Sequence, residues 1–119
     1  MEKERITQTG SLKISEEVVL TITRQAVLDV AGVHSLAQGH FGWKDLLLRS
    51  SHADNSINIT LNVDVAQISL CVNLIYGYKI KDVAQQIQED VKATVQNMTG
   101  ITVSKVNVLI AGVIKEETD

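Results

Sequence analysis

The residues that could carry out chemistry are few in this sequence, and their spacing does not suit catalysis. Cys71 is the single cysteine, and a nucleophilic cysteine needs a nearby histidine and an orienting acid. Cys71 falls inside an apolar stretch, far along the chain from any histidine. We therefore interpret it as a small buried hydrophobic residue in a reducing compartment. No pair of carboxylates is predicted on one rigid face beside a glycine-rich turn, so the sequence offers no candidate residues for general acid–base catalysis either.

A metal site is the second kind of chemistry to consider, because His40, His52 and Asp54 occur within one stretch. No two of them have the short helical or turn spacing of known zinc sites. The sequence therefore predicts no metal site, no catalytic residue and no cofactor. We expect His34, His40, His52 and Cys71 each to be replaceable by a residue of similar size without loss of function.

RNA binding is a weaker alternative that rests on one short motif. Residues 39–42 read GHFG, which fits the G-x-x-G loop that clamps the RNA backbone in KH modules, and Lys44 and Arg49 follow closely. However, such loops lie between two helices and usually carry a basic residue inside the motif, where this chain has His40 and Phe41. The formal net charge of -3 also disfavours a nucleic-acid partner.

Length and composition indicate one domain in the cytoplasm. The chain has 119 residues, a length that suits one domain with one hydrophobic core. Its pI near 5.5 argues against binding to nucleic acid or an anionic bilayer through the overall charge of the protein. The start MEKERITQTG is charged and polar, unlike a signal peptide. No stretch reaches the roughly 18 apolar residues that span a bilayer, so direct membrane insertion is not expected.

The first half of the chain predicts an extended piece followed by a helix. Ser15 can cap a helix whose first turn carries Glu16 and Glu17. The helix should run to about Ala31 and end at Gly32. Its apolar face is predicted from residues at steps of three and four, namely Val18, Val19, Ile22, Ala26, Val30 and Val33. A short strand, VHSLAQ, should follow.

The centre of the sequence predicts two consecutive strands. Apolar residues alternate with polar ones from Ile57 to Val63 and again from Ile68 to Tyr76. The change of parity between the two runs requires a reversal, which we place at residues 64–67 although no Asn-Gly or Asp-Gly is present.

The last third predicts a long amphipathic helix and a final strand. One helical stripe contains Ile80, Val83, Ala84, Ile87, Val91, Val95 and Met98. Gly100 should cap this helix in a left-handed conformation. Val106, Val108 and Ile110 then alternate on one side of a strand. The glycines predicted to serve as structural corners are Gly32, Gly77, Gly100 and Gly112.

These elements together predict a two-layer α+β domain, with a single mixed β-sheet, two amphipathic helices packed on one face and a short helical insertion. Residues 1–9 are predicted as a flexible tail, residues 10–114 as the domain, and residues 115–119 as a charged tail.

Two stretches then resemble a known family. Residues 10–36, GSLKISEEVVLTITRQAVLDVAGVHSL, and residues 74–113, LIYGYKIKDVAQQIQEDVKATVQNMTGITVSKVNVLIAGV, are similar to the envelope stress response family of Gram-positive bacteria named after the alkaline shock protein. The most specific parts are the Tyr76-Gly77 turn, the helix exit at Met98-Thr99-Gly100, and the strand that closes on Gly112-Val113. That family often has proline where this chain has Lys81, a difference without consequence because proline is favoured there but not required.

The resemblance implies a cytoplasmic, non-enzymatic protein that forms homo-oligomers and acts in envelope stress as an adaptor or scaffold. Some family members are held at the membrane by a separate membrane-anchored partner. A subgroup is thought to influence acetyl-CoA carboxylase, so a regulatory protein of fatty-acid synthesis with a biotin-dependent carboxylase as partner is the alternative function. The sequence does not choose between these subgroups.

The only Phe and Trp of the chain occur in HFGWKDLLLRS, inside the family's variable insertion. If residues 42–49 form a short helix, Trp43, Leu46 and Leu47 share one side of it, with Phe41 close by. This apolar side could fold onto the sheet or contact a partner. Our hypothesis is that Phe41, Trp43, Leu46 and Leu47 dock onto a second copy or a partner helix.

Overall fold

The computed structural model describes residues 2–7, 9–38 and 56–116. Its elements are β1 (Glu2–Thr7), β2 (Gly10–Ser15), α1 (Glu16–Leu28), β3 (Val33–Leu36), β4 (Ile57–Asn62), β5 (Val65–Ile75), α2 (Ile80–Thr99) and β6 (Thr102–Ile114). From β2 onward, the described elements follow the predicted order of helices and strands, whereas β1 was not predicted. Both helices pack against one face of the main sheet, so the chain is an α+β protein.

Strand β5 is the centre of a mixed sheet. Strand β6 pairs with it in parallel along its whole length, while β3 and β4 pair with it in antiparallel orientation. Strands β5 and β6 are connected by α2, as parallel neighbours require a crossover. Alternate residues of β5, from Ala66 to Leu74, are fully buried beneath the helices. These residues form the middle of the core.

Strands β3 and β4 occupy successive stretches of the same side of β5. Strand β3 pairs opposite Val72 to Leu74, and β4 pairs opposite Val65 to Leu70. Between them, Ala37 donates its N–H to the carbonyl of Cys71 at 2.9 Å, and Cys71 donates its own N–H to the carbonyl of Ser56 at 2.8 Å. The main chain of Cys71 therefore forms hydrogen bonds with the residues on both sides of the predicted insertion.

The N-terminal strands form a ribbon separate from the main sheet. Strand β1 pairs with β2 in antiparallel register, from Glu2 opposite Ser15 to Thr7 opposite Gly10. Most of the segment predicted as a flexible tail is thus a strand. Its partner β2, expected in the main sheet, pairs with β1 because the chain reverses between Thr7 and Gly10.

Helix α1 begins as predicted and ends earlier. The Ser15 hydroxyl accepts a hydrogen bond from the N–H of Val18 at 3.3 Å. The helix ends at Leu28 with Asp29 as C-cap, rather than at Ala31. Its buried face also differs, because Val18 is 46% exposed whereas Thr23 is fully buried.

Helix α2 buries the predicted stripe in its centre but not at its ends. Val83, Ile87, Val91 and Val95 are buried, as expected. Continued steps of four bring Thr99 rather than Met98 to the core, and Ile80 at the other end is also exposed. Thr99 is tolerated there because its hydroxyl donates to the carbonyl of Val95 at 2.6 Å and accepts from the N–H of Ile101 at 3.0 Å.

The reversal between β4 and β5 is tighter than predicted. Asn62 pairs with Val65, so only Val63 and Asp64 form the loop, instead of residues 64–67. Such two-residue hairpin loops need positive φ angles. Val63 adopts a φ of 53°, which is unusual for a β-branched residue.

Candidate functional site

The predicted contact surface cannot be placed on this structure. Phe41, Trp43, Leu46 and Leu47 lie outside the described residues. The same holds for the GHFG motif at 39–42. The described flanks nevertheless show where this insertion starts from the sheet, since Ala37 and Ser56 bond to the carbonyl and the N–H of Cys71 respectively.

The side chains considered for chemistry are not brought together where they are described. Cys71 is fully buried, its thiol lies 3.9 Å from the carbonyl oxygen of Gln38, and burial raises the pKa of the thiol. His34 lies on the surface with Nδ1 2.9 Å from the hydroxyl of Ser35. His40, His52 and Asp54 are outside the described ranges. Within 2–7, 9–38 and 56–116, no three His, Cys, Asp or Glu side chains are grouped closely enough to hold a metal ion.

Three of the four predicted glycine corners have positive φ angles. Gly32, Gly77 and Gly100 have φ values of 97°, 107° and 79°, and the N–H of Gly100 caps α2 by bonding to the carbonyl of Gln96 at 2.9 Å. Gly112 lies inside β6, next to a register irregularity rather than at a corner. A Cβ at Gly112 would come 3.0 Å from Oδ1 of Asn73.

The groove between the outer sides of α1 and α2, which we call the interhelical groove, is a concave feature of the described surface. Its volume is about 390 Å³, within the range of ligand-binding clefts. Residues of both helices line it: Thr21, Ile22, Gln25, Ala26, Asp29, Asp90, Thr94 and Met98. Ile22 and Ala26 are the more buried of these apolar residues, and Met98 is 68% exposed. The groove therefore combines an apolar base with polar sides.

Two carboxylates give the interhelical groove its charge. Asp29 accepts a hydrogen bond from the side-chain amide of Gln25 at 3.1 Å, and Asp90 accepts one from Gln86 at 2.8 Å. Both donors lie one helical turn before their acceptors, so each carboxylate is oriented by its own helix. The lining contains no lysine, arginine or histidine. The groove is thus suited to a cationic ligand with an apolar body.

The outer edge of β6 is a second surface with binding capacity. In the described part of the chain, β6 pairs with β5 only. At the start of β6, α2 supplies partners for the main chain: Gln96 accepts from the N–H of Val103 at 2.9 Å, and Gln88 donates to the carbonyl of Val106 at 3.1 Å. No such side-chain bonds are seen from Asn107 onward among the described residues.

Exposed apolar side chains continue from this edge to the end of the sheet. Leu109 and Val113 of β6 are about half exposed, and the two tyrosines of the chain, Tyr76 and Tyr78, are exposed as well. The N–H of Tyr76 bonds to the carbonyl of Ile114 at 2.8 Å, which places this tyrosine beside the end of β6. Aromatic and aliphatic side chains of this kind are typical of protein–protein contacts.

Sequence reasoning missed the interhelical groove. The sequence pattern assigns Met98 to the core stripe, whereas Met98 and Asp90 both line the groove. The available signal was weak. A Gln four residues before an Asp recurs in both helices, at Gln25–Asp29 and Gln86–Asp90, but only the packing of α1 on α2 brings the two pairs to one groove.

Comparison with known proteins identifies a family. Residues 4–115 match the model of the alkaline shock protein family, described as having a cell envelope-related function. The uncharacterized protein YloU of Bacillus subtilis is 29% identical over 115 residues, which is 95% of this chain and 96% of YloU. The uncharacterized protein Spy1535 of Streptococcus pyogenes is 31% identical over 109 residues, covering 92% of this chain and 83% of Spy1535.

Solved structures confirm the fold class. A manganese form of MamM CTD aligns with a TM-score of 0.51 at 13% identity, covering 82% of this chain and 99% of that chain. A copper form aligns with the same TM-score at 14% identity, covering 87% of this chain and all of that chain (100%). At this identity the likeness shows a shared mixed α+β fold alone.

Neither helix of the described residues has the length and apolarity required to cross a membrane.

Proposed function

This chain belongs to the alkaline shock protein family, whose function is cell envelope-related, and we propose that it acts there as a non-enzymatic adaptor or scaffold. In this proposal it self-associates and binds a membrane-associated partner from the cytoplasmic side. The observation that carries the proposal is the outer edge of β6, which has a strand partner on one side only among the described residues.

The composition of β6 supports pairing with a second copy. From Val106 to Ile114 the strand has no charged residue and no proline, and lysines occur only at its flanks, as Lys105 and Lys115. Charged side chains and proline are the usual means of preventing edge pairing. Two identical strands can pair in antiparallel orientation across a two-fold axis, and within the run from Val106 to Ile114 this places no like charges opposite each other.

The strength of this association is limited by the shape of the edge. The register irregularity between Ile110 and Gly112 divides the free part of β6 into two short runs, and such irregularities twist an edge strand. We therefore expect a reversible, concentration-dependent association, as suits a scaffold that assembles under stress, rather than a permanent dimer.

The test of self-association is Val113→Lys, with Val18→Lys as its matched control. Both valines are 46% exposed, but Val18 lies on α1 rather than on β6. In sedimentation equilibrium, Val113→Lys should shift the chain towards monomer and Val18→Lys should associate like the original chain. Equal association of all three proteins would overturn the proposed interface.

The predicted contact residues Phe41, Trp43, Leu46 and Leu47 are proposed to extend this interface to a second copy or a partner. Trp43 is the only tryptophan, so its emission reports on this segment alone. Dilution should shift the emission maximum to the red, and Trp43→Ala should weaken association by more than about 1 kcal/mol. Emission that stays blue at every concentration, with normal assembly of Trp43→Ala, would assign the segment to the core.

The partner is best identified by cross-linking in native cells followed by affinity capture. Recovery of a membrane-anchored protein would support the adaptor role. Recovery of a biotin-dependent carboxylase in its place would contradict that role and favour the alternative, a regulatory protein of fatty-acid synthesis.

A further inference from the structure

We propose that the interhelical groove binds a basic amphipathic helix from the membrane-associated partner, with Asp29 and Asp90 contacting its lysine or arginine side chains. This inference rests on the proposed adaptor function and names the surface that would carry out partner binding. It concerns a surface distinct from the β6 edge, because the groove is formed by the outer sides of α1 and α2.

The shape of the groove suits a helix. Two packed helices leave a furrow along their line of contact, and an amphipathic helix binds such a furrow through apolar residues spaced three and four apart. Ile22 and Ala26, one turn apart on α1, provide the apolar base, and Met98 of α2 provides an exposed, adaptable side chain. Methionine is common at surfaces that accept varied apolar partners.

The negative charge of the groove determines that its ligand is positively charged. Both charged residues of the lining, Asp29 and Asp90, are acidic, and within the described ranges neither forms an ion pair. Their glutamine partners, Gln25 and Gln86, are uncharged and leave the negative charge uncompensated. Cationic side chains of a bound helix would therefore be attracted to a carboxylate on each side of the groove.

The charge of Asp29 is unfavourable for α1 itself, although its carboxylate accepts a hydrogen bond from Gln25. Asp29 is the C-cap of α1, and the last turn of that helix contains no basic residue. The helix dipole places partial negative charge at this end, so a carboxylate there is electrostatically unfavourable. A ligand cation would offset this repulsion, which gives the residue a reason to lie in the groove.

The general properties of membrane proteins indicate which ligand would bind in the groove. Segments on the cytoplasmic side of membrane-spanning helices are enriched in lysine and arginine, and amphipathic helices that bind at the membrane surface carry these residues on their polar face. A partner anchored in the membrane would therefore present the required charge next to an apolar stripe. Anionic lipid headgroups are excluded as the occupant by the two carboxylates, since like charges repel.

The test measures binding of a labelled synthetic helix of about 18 residues, with leucine at helical spacing and lysine on both flanks of the stripe. A matched peptide has glutamate in place of every lysine. Fluorescence anisotropy should show binding of the lysine peptide only. Asp29→Asn and Asp90→Asn should each raise its Kd about fivefold. Raising the salt concentration should weaken binding by screening the charges.

Glu89→Gln is the control variant. Glu89 accepts a hydrogen bond from Gln85 at 3.2 Å, which repeats the arrangement of Gln86 and Asp90 one residue earlier on α2, but it does not line the groove. The substitution removes the same charge and should leave the Kd unchanged. An equal effect of Glu89→Gln and Asp90→Asn would show general charge attraction and would overturn the proposed site.

Three other results would also overturn the inference: binding of both peptides alike, binding of neither, or binding of anionic vesicles with the same dependence on Asp29. Failure of the inference can be distinguished from failure of the proposed function. If the Asp29→Asn, Asp90→Asn double variant still cross-links to a membrane protein in cells, the adaptor role stands and the groove is not its partner site. If the original chain captures no membrane protein, the adaptor role itself fails.

Discussion

Gly32 lies against the ring of Tyr78, so that a Cβ added at Gly32 would come 2.9 Å from Cδ2 of that ring and 2.8 Å from Cγ2 of Val83. Gly32 also has a φ of 97°. The segment that connects α1 to β3 is therefore close to the start of α2, and this packing joins the two helices at one end of the sheet.

We expect Gly32→Ala to lower the free energy of unfolding by about 2–4 kcal/mol, because it adds a steric overlap to an unfavourable φ. Gly77→Ala is the matched control, since Gly77 has a φ of 107° but nothing within 4 Å of the added Cβ. Urea unfolding should show a smaller loss, about 1–2 kcal/mol, for the control. Equal losses would contradict the packing of Tyr78 on Gly32.

Val63→Asn should stabilise the protein by about 1 kcal/mol, because asparagine accepts positive φ values that strain a β-branched residue. Val63 is 72% exposed, so little apolar burial is lost. The same change at Val65, which lies in β5 opposite Asn62, should destabilise it. Thermal unfolding measures both, and a loss of stability for Val63→Asn would contradict the described turn.

Thr23 and Thr99 should respond in opposite ways to replacement by valine. The hydroxyl of Thr23 is buried and has no hydrogen-bond partner among the described residues, so Thr23→Val should stabilise by about 1–2 kcal/mol. Thr99→Val removes the bonds to Val95 and Ile101 and should destabilise by a similar amount, roughly 1–3 kcal/mol. Chemical denaturation of both variants gives the comparison, and the same sign for both would refute it.

Val91→Ala should lower the free energy of unfolding by about 2 kcal/mol, since Val91 has no exposed surface and its truncation leaves a cavity beneath the helix. Met98→Ala on the same helix should change it by less than about 0.5 kcal/mol. Melting temperatures decide the matter, and similar values for the two variants would mean that the buried face of α2 is wrongly assigned.

The stability of the protein should fall at alkaline pH through Cys71. Burial raises the pKa of its thiol, so between the unfolded and folded pKa values the native state keeps a proton that the unfolded state has lost. Stability from this source is complete below the unfolded pKa and declines as pH rises through the folded pKa. Cys71→Ala should show a weaker decline in urea unfolding above neutral pH, and an unchanged pH profile would argue against the thiol.

The sequence predicts a local element correctly where the residue type favours one backbone conformation, one hydrogen bond or one buried face. Ser15 caps α1 because its hydroxyl can reach the N–H of Val18, and Gly100 ends α2 because a left-handed residue is required there. Val83, Ile87, Val91 and Val95 are buried because their spacing repeats every turn. The family resemblance was likewise readable from the sequence, since it covers both helices and the final strand.

The tertiary structure decided what depends on contacts between distant segments. A step of three from Val95 leads to Met98 and a step of four leads to Thr99, so helical periodicity allows either residue, and the packed helix buries Thr99. The position of the reversal at Val63 followed from the pairing of β4 with β5, which outweighed the strain of a β-branched residue at positive φ. The interhelical groove required α1 to pack on α2, because Asp29 and Asp90 are far apart in the chain and line one groove only across that contact.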